Sequence, residues 1–267
     1  MVKITIGTAG FFYKDWVDSF YPKQLEKSQY LGYFSKFFNM VEINSTFYNL
    51  PSEEMVINWY NRVPEGFRFI VKIWQKITHE LHDPELDIRT HEFFSRIRPL
   101  KGKIVGILLQ FPPRFKYTEK HLKQIIYLIK TIPSEYKFII ELRDNSWFNA
   151  DILSNVIDGH NIILGTTYMP GILPYYMQNQ IFYYIRLIGD RELTVFNRIQ
   201  RNQKDIIDDL LNNIQILIKD PNIYEIFIIV NNHFQGHAPE SINMIKQKLG
   251  LPYRSFNNQK SIIDFIQ

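Results

Sequence analysis

The amino-acid sequence predicts a single α/β domain, a (β/α)8 barrel of the TIM type, in which eight parallel strands are enclosed by an outer ring of helices. Eight short apolar segments alternate with about seven amphipathic segments along the 267 residues, and no linker or low-complexity stretch interrupts them. The apolar segments are mostly continuous, which is typical of strands covered on both faces. An eight-stranded barrel closes such an alternation, so we expect residues 1–267 to form one domain.

An open doubly wound sheet is the alternative fold, because the same alternation of strands and helices allows it. Dinucleotide-binding sheets of that kind carry Gly-x-Gly-x-x-Gly after the first strand. This chain has Gly7-Thr8-Ala9-Gly10 at that point. The barrel is therefore the preferred interpretation.

The predicted elements follow from local patterns. Short apolar runs rich in β-branched and aromatic residues predict strands at residues 3–8, 40–44, 68–73, 103–110, 137–142, 162–166, 182–187 and 224–231. Apolar positions three and four residues apart predict helices at residues 24–38, 53–62, 87–97, 119–131, 150–157, 203–218 and 239–249. Ser52 and Thr118 precede two of these helices as N-cap residues. No helical pattern follows residues 162–166, so we expect a loop there.

Composition narrows the possible function classes. The chain has no cysteine, which excludes disulfides, cysteine-based zinc sites and a thiol nucleophile. No segment approaches the ~20 apolar residues of a membrane span, and no signal-peptide pattern opens the sequence, so we expect no membrane association and a cytoplasmic protein. The formal charge of +4 is a mild excess that favours anionic ligands weakly.

Polar side chains occupy the end of nearly every predicted strand. They are Thr8, Glu42, Asn44, Lys72, Gln110, Glu141, Arg143, Thr166, Arg186, Asn231 and Asn232. The charged residues at the strand starts, such as Lys3, Arg68, Lys103 and Lys137, are lysines and arginines alone, whereas the ends mix acids, amides, hydroxyls and cations. The carboxyl ends of parallel barrel strands meet at one rim, where barrel enzymes place their catalytic groups. We therefore predict a functional mouth at that rim.

Three charged residues are the catalytic candidates. Glu42 is suited to act as a general base beside the amide of Asn44, and Glu141 is suited to act as an acid paired with Arg143. Lys72 inside a barrel would have a lowered pKa and act as a base or as a Schiff-base amine. The alternative is a buried salt-bridge network with no ligand, because buried charges must be paired.

The remaining polar and aromatic residues around the mouth are the predicted substrate-binding set. They are Thr8, Tyr13, Asn44, Thr46, Tyr48, His79, Gln110, Arg143, Trp147, Arg186, Asn231, Asn232 and His233. Three cations, Lys72, Arg143 and Arg186, face two inward carboxylates. The predicted partner is therefore a small anionic or phosphorylated molecule, since arginine recognises phosphate and carboxylate groups. The sequence does not predict the reaction, a cofactor or the oligomeric state.

Two other function classes stay open. Glu42, Glu141, His79, His233 and His237 could serve a metal-dependent isomerase or endonuclease-like barrel. No His-Glu-x-x-His motif is present and aspartate is scarce at the strand ends, so we predict no metal site.

A nucleic-acid-binding or nucleic-acid-processing module is the second of these classes. A basic chain with aromatics that could stack on bases favours it. The aromatics concerned are Phe11, Phe12, Tyr13, Trp16 and Trp147. The absence of a clustered basic run argues against it.

Several segments together resemble one protein family. They are Gly7-Thr8-Ala9-Gly10, Phe20-Tyr21-Pro22, Val41-Glu42-Ile43-Asn44-Ser45-Thr46-Phe47-Tyr48, Ile77-Thr78-His79, Leu109-Gln110-Phe111-Pro112-Pro113, Glu141-Leu142-Arg143 and Asn231-Asn232-His233. In this order they are similar to the YecE-like proteins, domain of unknown function 72. The resemblance covers essentially the whole chain and implies a barrel without supplying a reaction. The chain departs from the family pattern at Ala9, Ile188 and Ser241, where Ser, His and Asn are usual.

Overall fold

The computed structural model describes residues 2–256 and contains one closed barrel. Its eight strands are β1 (Lys3–Ala9), β2 (Met40–Ile43), β3 (Arg68–Lys72), β4 (Ile104–Gln110), β5 (Phe138–Glu141), β6 (Ile162–Tyr168), β7 (Phe182–Leu187) and β8 (Glu225–Val230). Each strand pairs in parallel with its neighbour in the chain, and β8 pairs with β1 to close the sheet. The (β/α)8 prediction is confirmed.

The helices lie between the strands. The ten α-helices of the described residues are α1 (Tyr30–Phe34), α2 (Ser45–Tyr48), α3 (Glu53–Asn61), α4 (Gln75–Thr78), α5 (Leu86–Ile97), α6 (Glu119–Thr131), α7 (Ala150–Leu153), α8 (Lys204–Leu217), α9 (Asn232–Gln235) and α10 (Ala238–Lys248). Both predicted caps are present, since the side chain of Ser52 accepts from the Met55 amide and that of Thr118 from the His121 amide. None of the helices in this part of the chain has the length and apolar character needed to cross a membrane.

The barrel interior is filled in layers that follow the alternation of the strands. Mostly apolar side chains fill the middle of the barrel over more than one level, formed by Ala9, Met40, Ile70, Leu108, Ile139, Ile163, Phe182, Tyr184, Phe227 and Ile229. Successive strand residues point to opposite faces, so a residue two positions further on enters the barrel again. Counted from Met40, Ile70, Leu108, Ile139 and Tyr184, these next inward residues are Glu42, Lys72, Gln110, Glu141 and Arg186. The strand period therefore stacks a charged layer directly above the apolar one.

Several elements differ from their predicted bounds. The helix predicted at 24–38 is only Tyr30–Phe34, preceded by a 3-10 turn at Lys27–Gln29. Its last turn ends where the Ser35 hydroxyl donates to the Gly32 carbonyl, and the aromatics that follow pack on the loop after β1 rather than along a helix. The short helices α2, α4 and α9, which directly follow strands, have too few residues for a periodic signal. The loop expected after β6 is confirmed, because no helix lies between β6 and β7.

Candidate functional site

Arg186 is the centre of the charged layer. From β7 its guanidinium crosses the barrel, where Nη2 donates to Glu42 Oε1 at 2.6 Å and Nη1 donates to Glu141 Oε2 at 3.0 Å. Nη2 also lies 3.4 Å from the Asn44 amide oxygen. Arg186 is 3% exposed, so one buried arginine links strands β2, β5 and β7 at the mouth. The planar guanidinium suits this role because it carries several donors in fixed directions.

The two carboxylates are fully buried and have further partners. Arg143 donates through Nε to Glu141 Oε1 at 2.7 Å, and the Tyr184 hydroxyl donates to Glu42. Burial raises the pKa of Glu141, but the nearby charges of Arg186, Arg143 and Lys72 outweigh it and lower that pKa to about 2. Glu141 is therefore ionised at neutral pH. Burial, followed by the Glu42 charge, raises the pKa of Tyr184 well above its ordinary value, so its hydroxyl stays a donor.

Lys72 lies in the same layer but has no carboxylate partner. Its Nζ donates to Gln110 Oε1 at 2.8 Å and lies 3.7 Å from the centre of the Phe47 ring, and Lys72 makes no ion pair within the part of the chain that the structure describes. Burial, followed by the positive charge of Arg186, lowers the pKa of Lys72 to about 7. A large fraction of this amine is therefore neutral at physiological pH, as a base or a nucleophile requires.

The rim above the charged layer carries aromatic and basic side chains. The His79 ring lies 5.2 Å from Phe47, and burial together with the charges of Lys72 and Arg114 lowers the pKa of His79 to about 4. His79 is therefore neutral at pH 7. Burial, followed by the negative charge of Glu42, raises the pKa of Tyr13 to about 12. Tyr48 projects into solvent at this rim.

Some predicted site residues hold the structure around the mouth. The Thr46 hydroxyl donates to the Lys72 carbonyl at 2.6 Å and ties α2 to the end of β3. Asn231 caps α9 by accepting from the His233 amide at 3.0 Å, and the His233 ring stands edge-on to Phe196 at 4.8 Å. These residues shape the mouth rather than extend the charged layer.

Three further predicted site residues also lie outside the charged layer. Thr8 is buried, and its hydroxyl donates to the Gly10 carbonyl at 2.6 Å, outside the barrel interior because Ala9 is the inward residue. The Trp147 indole donates to the Phe115 carbonyl at 2.6 Å. Asn232 accepts from the Trp16 indole at 3.1 Å and from the first amide of α10 at 3.0 Å.

The aromatics considered for stacking on nucleic-acid bases divide into buried and exposed groups. Trp16 and Trp147 are 0% exposed and pack within the protein core, whereas Phe12 is 56% exposed. Trp16 stacks against Phe34 with ring centres 6.5 Å apart. Trp16, in the loop after β1, therefore belongs to the protein core and has no exposed face for stacking on a base.

No group of three or more His, Asp or Glu side chains comes together to hold a metal ion among residues 2–256. The predicted histidines lie apart. His79 is at the end of α4, His233 is in α9, and the buried His237 has Trp16 edge-on at 6.2 Å.

Sequence reasoning missed three residues that the structure places at the mouth. Tyr184 and Thr167 point into the barrel from β7 and β6. Arg191 lies in the loop after β7, and burial, followed by the positive charges of Arg143 and Arg186, lowers its pKa. The alternation of β7 is the signal that could have found Tyr184, because it is two residues before Arg186. The loop position of Arg191 carries no such signal.

Comparisons with known proteins agree with this architecture. The family model described as "Protein of unknown function DUF72" matches residues 5–262. The UPF0759 protein YecE of Escherichia coli is 31% identical over 115 residues, a segment that spans 43% of this chain and 42% of that protein. The UPF0759 protein YunF of Bacillus subtilis is 23% identical over 267 aligned positions, which cover 88% of this chain and 92% of that one.

Solved structures show the same fold. A DUF72 family protein from Thermotoga maritima superposes with a TM-score of 0.78 at 24% identity, covering 93% of this chain and 99% of that chain. A DUF72 family protein from Enterococcus faecalis gives 0.76 at 20% identity, covering 94% and 97%. At these identities the superpositions establish the fold alone. Because the family model covers nearly the whole sequence, the chain belongs to the DUF72 family.

Proposed function

We propose that the protein is an enzyme acting on a small anionic or phosphorylated substrate at the carboxyl-terminal mouth of the barrel. The observation that carries the proposal is the composition of the buried charged layer. Lys72, Arg143 and Arg186 outnumber the carboxylates Glu42 and Glu141 by one positive charge when Lys72 is protonated. Buried charges are costly unless they are paired. A bound anion would neutralise the excess charge.

The contacts favour different roles for the three catalytic candidates. Glu42 and Glu141 both bind Arg186, and the lowered pKa of Glu141 keeps it ionised, so these carboxylates would orient the guanidinium groups. Lys72 has a lowered pKa and, among residues 2–256, donates a hydrogen bond to the neutral amide of Gln110 rather than to a carboxylate, so it is the group suited to proton transfer or to attack on a carbonyl.

This arrangement favours a reaction in which negative charge develops beside the arginines. Lys72 would take a proton from the substrate, or add to its carbonyl carbon, while Arg143 and Arg186 stabilise the charge that forms. A hydrolase, a lyase or an isomerase can use such a step. The burial of the layer supports the proposal further, because electrostatic stabilisation is stronger where water is excluded.

Anion-dependent stabilisation tests the proposal. We expect one class of anion, screened among inorganic phosphate, sulfate, sugar phosphates and small carboxylates, to raise the thermal unfolding midpoint. A ligand at 100 times its dissociation constant adds ~2.7 kcal/mol to the free energy of unfolding. The Arg143→Ala variant should lose most of this shift, because the anion loses one guanidinium partner. The fold should tolerate the change, since Glu141 still accepts a hydrogen bond from Arg186.

The Lys103→Met variant is the matched control. Lys103 is also a buried lysine, but it lies at the opposite end of the barrel, where it donates to the Tyr60 and Val63 carbonyls at 2.9 and 3.0 Å. Its anion-dependent shift should equal that of the wild type. If no small anion stabilises the wild type, the proposal is wrong and a macromolecular partner or a purely structural network takes its place.

The pH dependence of anion binding follows from Lys72. Its pKa of about 7 means that an anion meets a charged amine below pH 7 and must bind together with a proton above it. We expect the dissociation constant for sulfate, whose charge is constant in this range, to be flat below pH 6. It should then rise by up to about tenfold per pH unit above 7. Isothermal titration from pH 5.5 to 9 measures this. His79 does not contribute, because its pKa is lowered to about 4.

The Lys72→Met variant separates this effect from general charge changes. It should bind sulfate more weakly at pH 6, with an affinity that no longer depends on pH. A pH slope that survives in this variant would assign the proton to another group.

A further inference from the structure

Thr167 points into the barrel, although Thr166 is the residue that the sequence placed at the strand end. The orientation of β6 follows from Gly165. A Cβ atom added there would lie 3.0 Å from the side chains of Ile139 and Tyr184, which both belong to the barrel interior. Because side chains alternate along a strand, Thr167 faces the same interior and Thr166 faces outward. Consistent with this, the Thr166 hydroxyl donates to the Tyr175 carbonyl at 2.9 Å.

Thr167 is the direct neighbour of Arg186. The register of β6 and β7 pairs the Cα atoms of these two residues, and adjacent strands lie ~4.8 Å apart. Both residues are 3% exposed. The hydroxyl of Thr167 and the guanidinium of Arg186 therefore share one face of the charged layer.

Both residues carry a buried polar atom that has no partner. Within residues 2–256, neither Thr167 Oγ1 nor Arg186 Nε makes a hydrogen bond, whereas Nη1 and Nη2 of the same guanidinium are bound to carboxylates. Buried polar atoms in native proteins are nearly always hydrogen-bonded. Two unpartnered donors on neighbouring strands point to an acceptor that binds between them.

We infer that Thr167 Oγ1 and Arg186 Nε form an oxygen subsite, which receives one oxygen of the anionic group of the substrate. The inference rests on the proposed function and assigns a residue to it. An oxygen of a carboxylate, phosphate or sulfate can accept from both donors at once, and its charge is favoured beside the guanidinium. Lys72 and Arg143 remain for its other oxygens. Because Thr167 is 3% exposed, the anion reaches the subsite only when the side chains above it move aside.

Three variants of the full chain test the oxygen subsite with sodium sulfate as the probe. Thr167→Val removes the hydroxyl and keeps the shape, so the dissociation constant should rise roughly tenfold or more. Thr167→Ser keeps the hydroxyl and should stay within about threefold of the wild type. Thr166→Val is the matched control on the outer face. It should leave sulfate affinity unchanged but lower the thermal midpoint, because the Tyr175 carbonyl loses its donor.

The thermal midpoint without sulfate is a second, ligand-independent readout. An unpartnered hydroxyl contributes no bond, so Thr167→Val should leave this midpoint unchanged or raise it. If Thr167→Val lowers the midpoint and binds sulfate as the wild type does, the hydroxyl is structural, bonded for example to a buried water, and the inference is wrong. In that outcome the proposed function stands. If the wild type binds none of the anions screened, carboxylates and sugar phosphates included, the proposed function fails and the oxygen subsite fails with it.

Discussion

Replacing Arg186 with methionine is expected to lower the free energy of unfolding by about 3–5 kcal/mol, a large fraction of the stability of a typical domain. The reason is that two buried carboxylates would lose their positively charged partner. Glu42 and Glu141 are both 0% exposed, and each accepts a hydrogen bond from this one guanidinium. Without Arg186, Glu42 keeps the hydrogen bond from the neutral Tyr184 hydroxyl, and Glu141 keeps the hydrogen bond from Arg143. Urea denaturation at pH 7 measures the change.

The triple variant Arg186→Met, Glu42→Gln, Glu141→Gln distinguishes lost pairing from lost packing. If uncompensated charge causes the instability, neutralising both carboxylates should restore part of the loss. A single variant as stable as the wild type would mean that pairing with Arg186 contributes nothing to the free energy of unfolding.

Replacing Lys72 with methionine should have the opposite sign and raise the free energy of unfolding at pH 6 by about 2–3 kcal/mol. Burial and then the charge of Arg186 lower the pKa of Lys72 from 10.5 to about 7. At 1.36 kcal/mol per unit, this corresponds to roughly 5 kcal/mol of unfavourable burial. Loss of the hydrogen bond to Gln110 and of the Phe47 contact offsets part of the gain.

The pH dependence of this gain identifies its cause. Between pH 7 and 10.5 the unfolded chain binds the lysine proton and the folded chain does not, so wild-type stability rises with pH in that window. The advantage of Lys72→Met should therefore be full below pH 7 and disappear towards pH 10.5. Lys103→Met should instead be less stable than the wild type at both ends of this pH window, because two backbone carbonyls lose their donor. A Lys72→Met protein less stable than the wild type at pH 6 would show that the amine is not strained by burial.

The two predictions together describe a charged layer in which one cation stabilises the fold and another destabilises it. Arg186 is paired with two carboxylates, so its loss should destabilise the network. Lys72 makes no ion pair with any residue from 2 to 256, so its loss should stabilise the fold. Such a contrast within one layer is typical of functional sites, where a poorly accommodated group is retained for its chemistry.

The barrel could be predicted from the sequence because its determinants are local. The period of apolar residues marks each strand and helix, so that β7 and α6 have the predicted bounds, and Thr118 marks where α6 begins. Parallel strands bring their carboxyl ends together whatever the details of packing. For that reason Glu42, Lys72 and Arg186 were recognised as neighbours although they are far apart in the chain.

Only the tertiary structure decided which side chains enter the barrel and which partners they meet there. A one-residue difference along a strand moves a side chain to the other face, and this separates Thr167 inside the barrel from Thr166 outside it. The strand register across the closed sheet brings Arg186 to Glu42 on a distant strand, and it leaves Lys72 without a carboxylate. The sequence by itself determined the fold and the location of the mouth. Pairing, burial and the resulting pKa of each group depend on distances of a few ångströms, which only the folded chain sets.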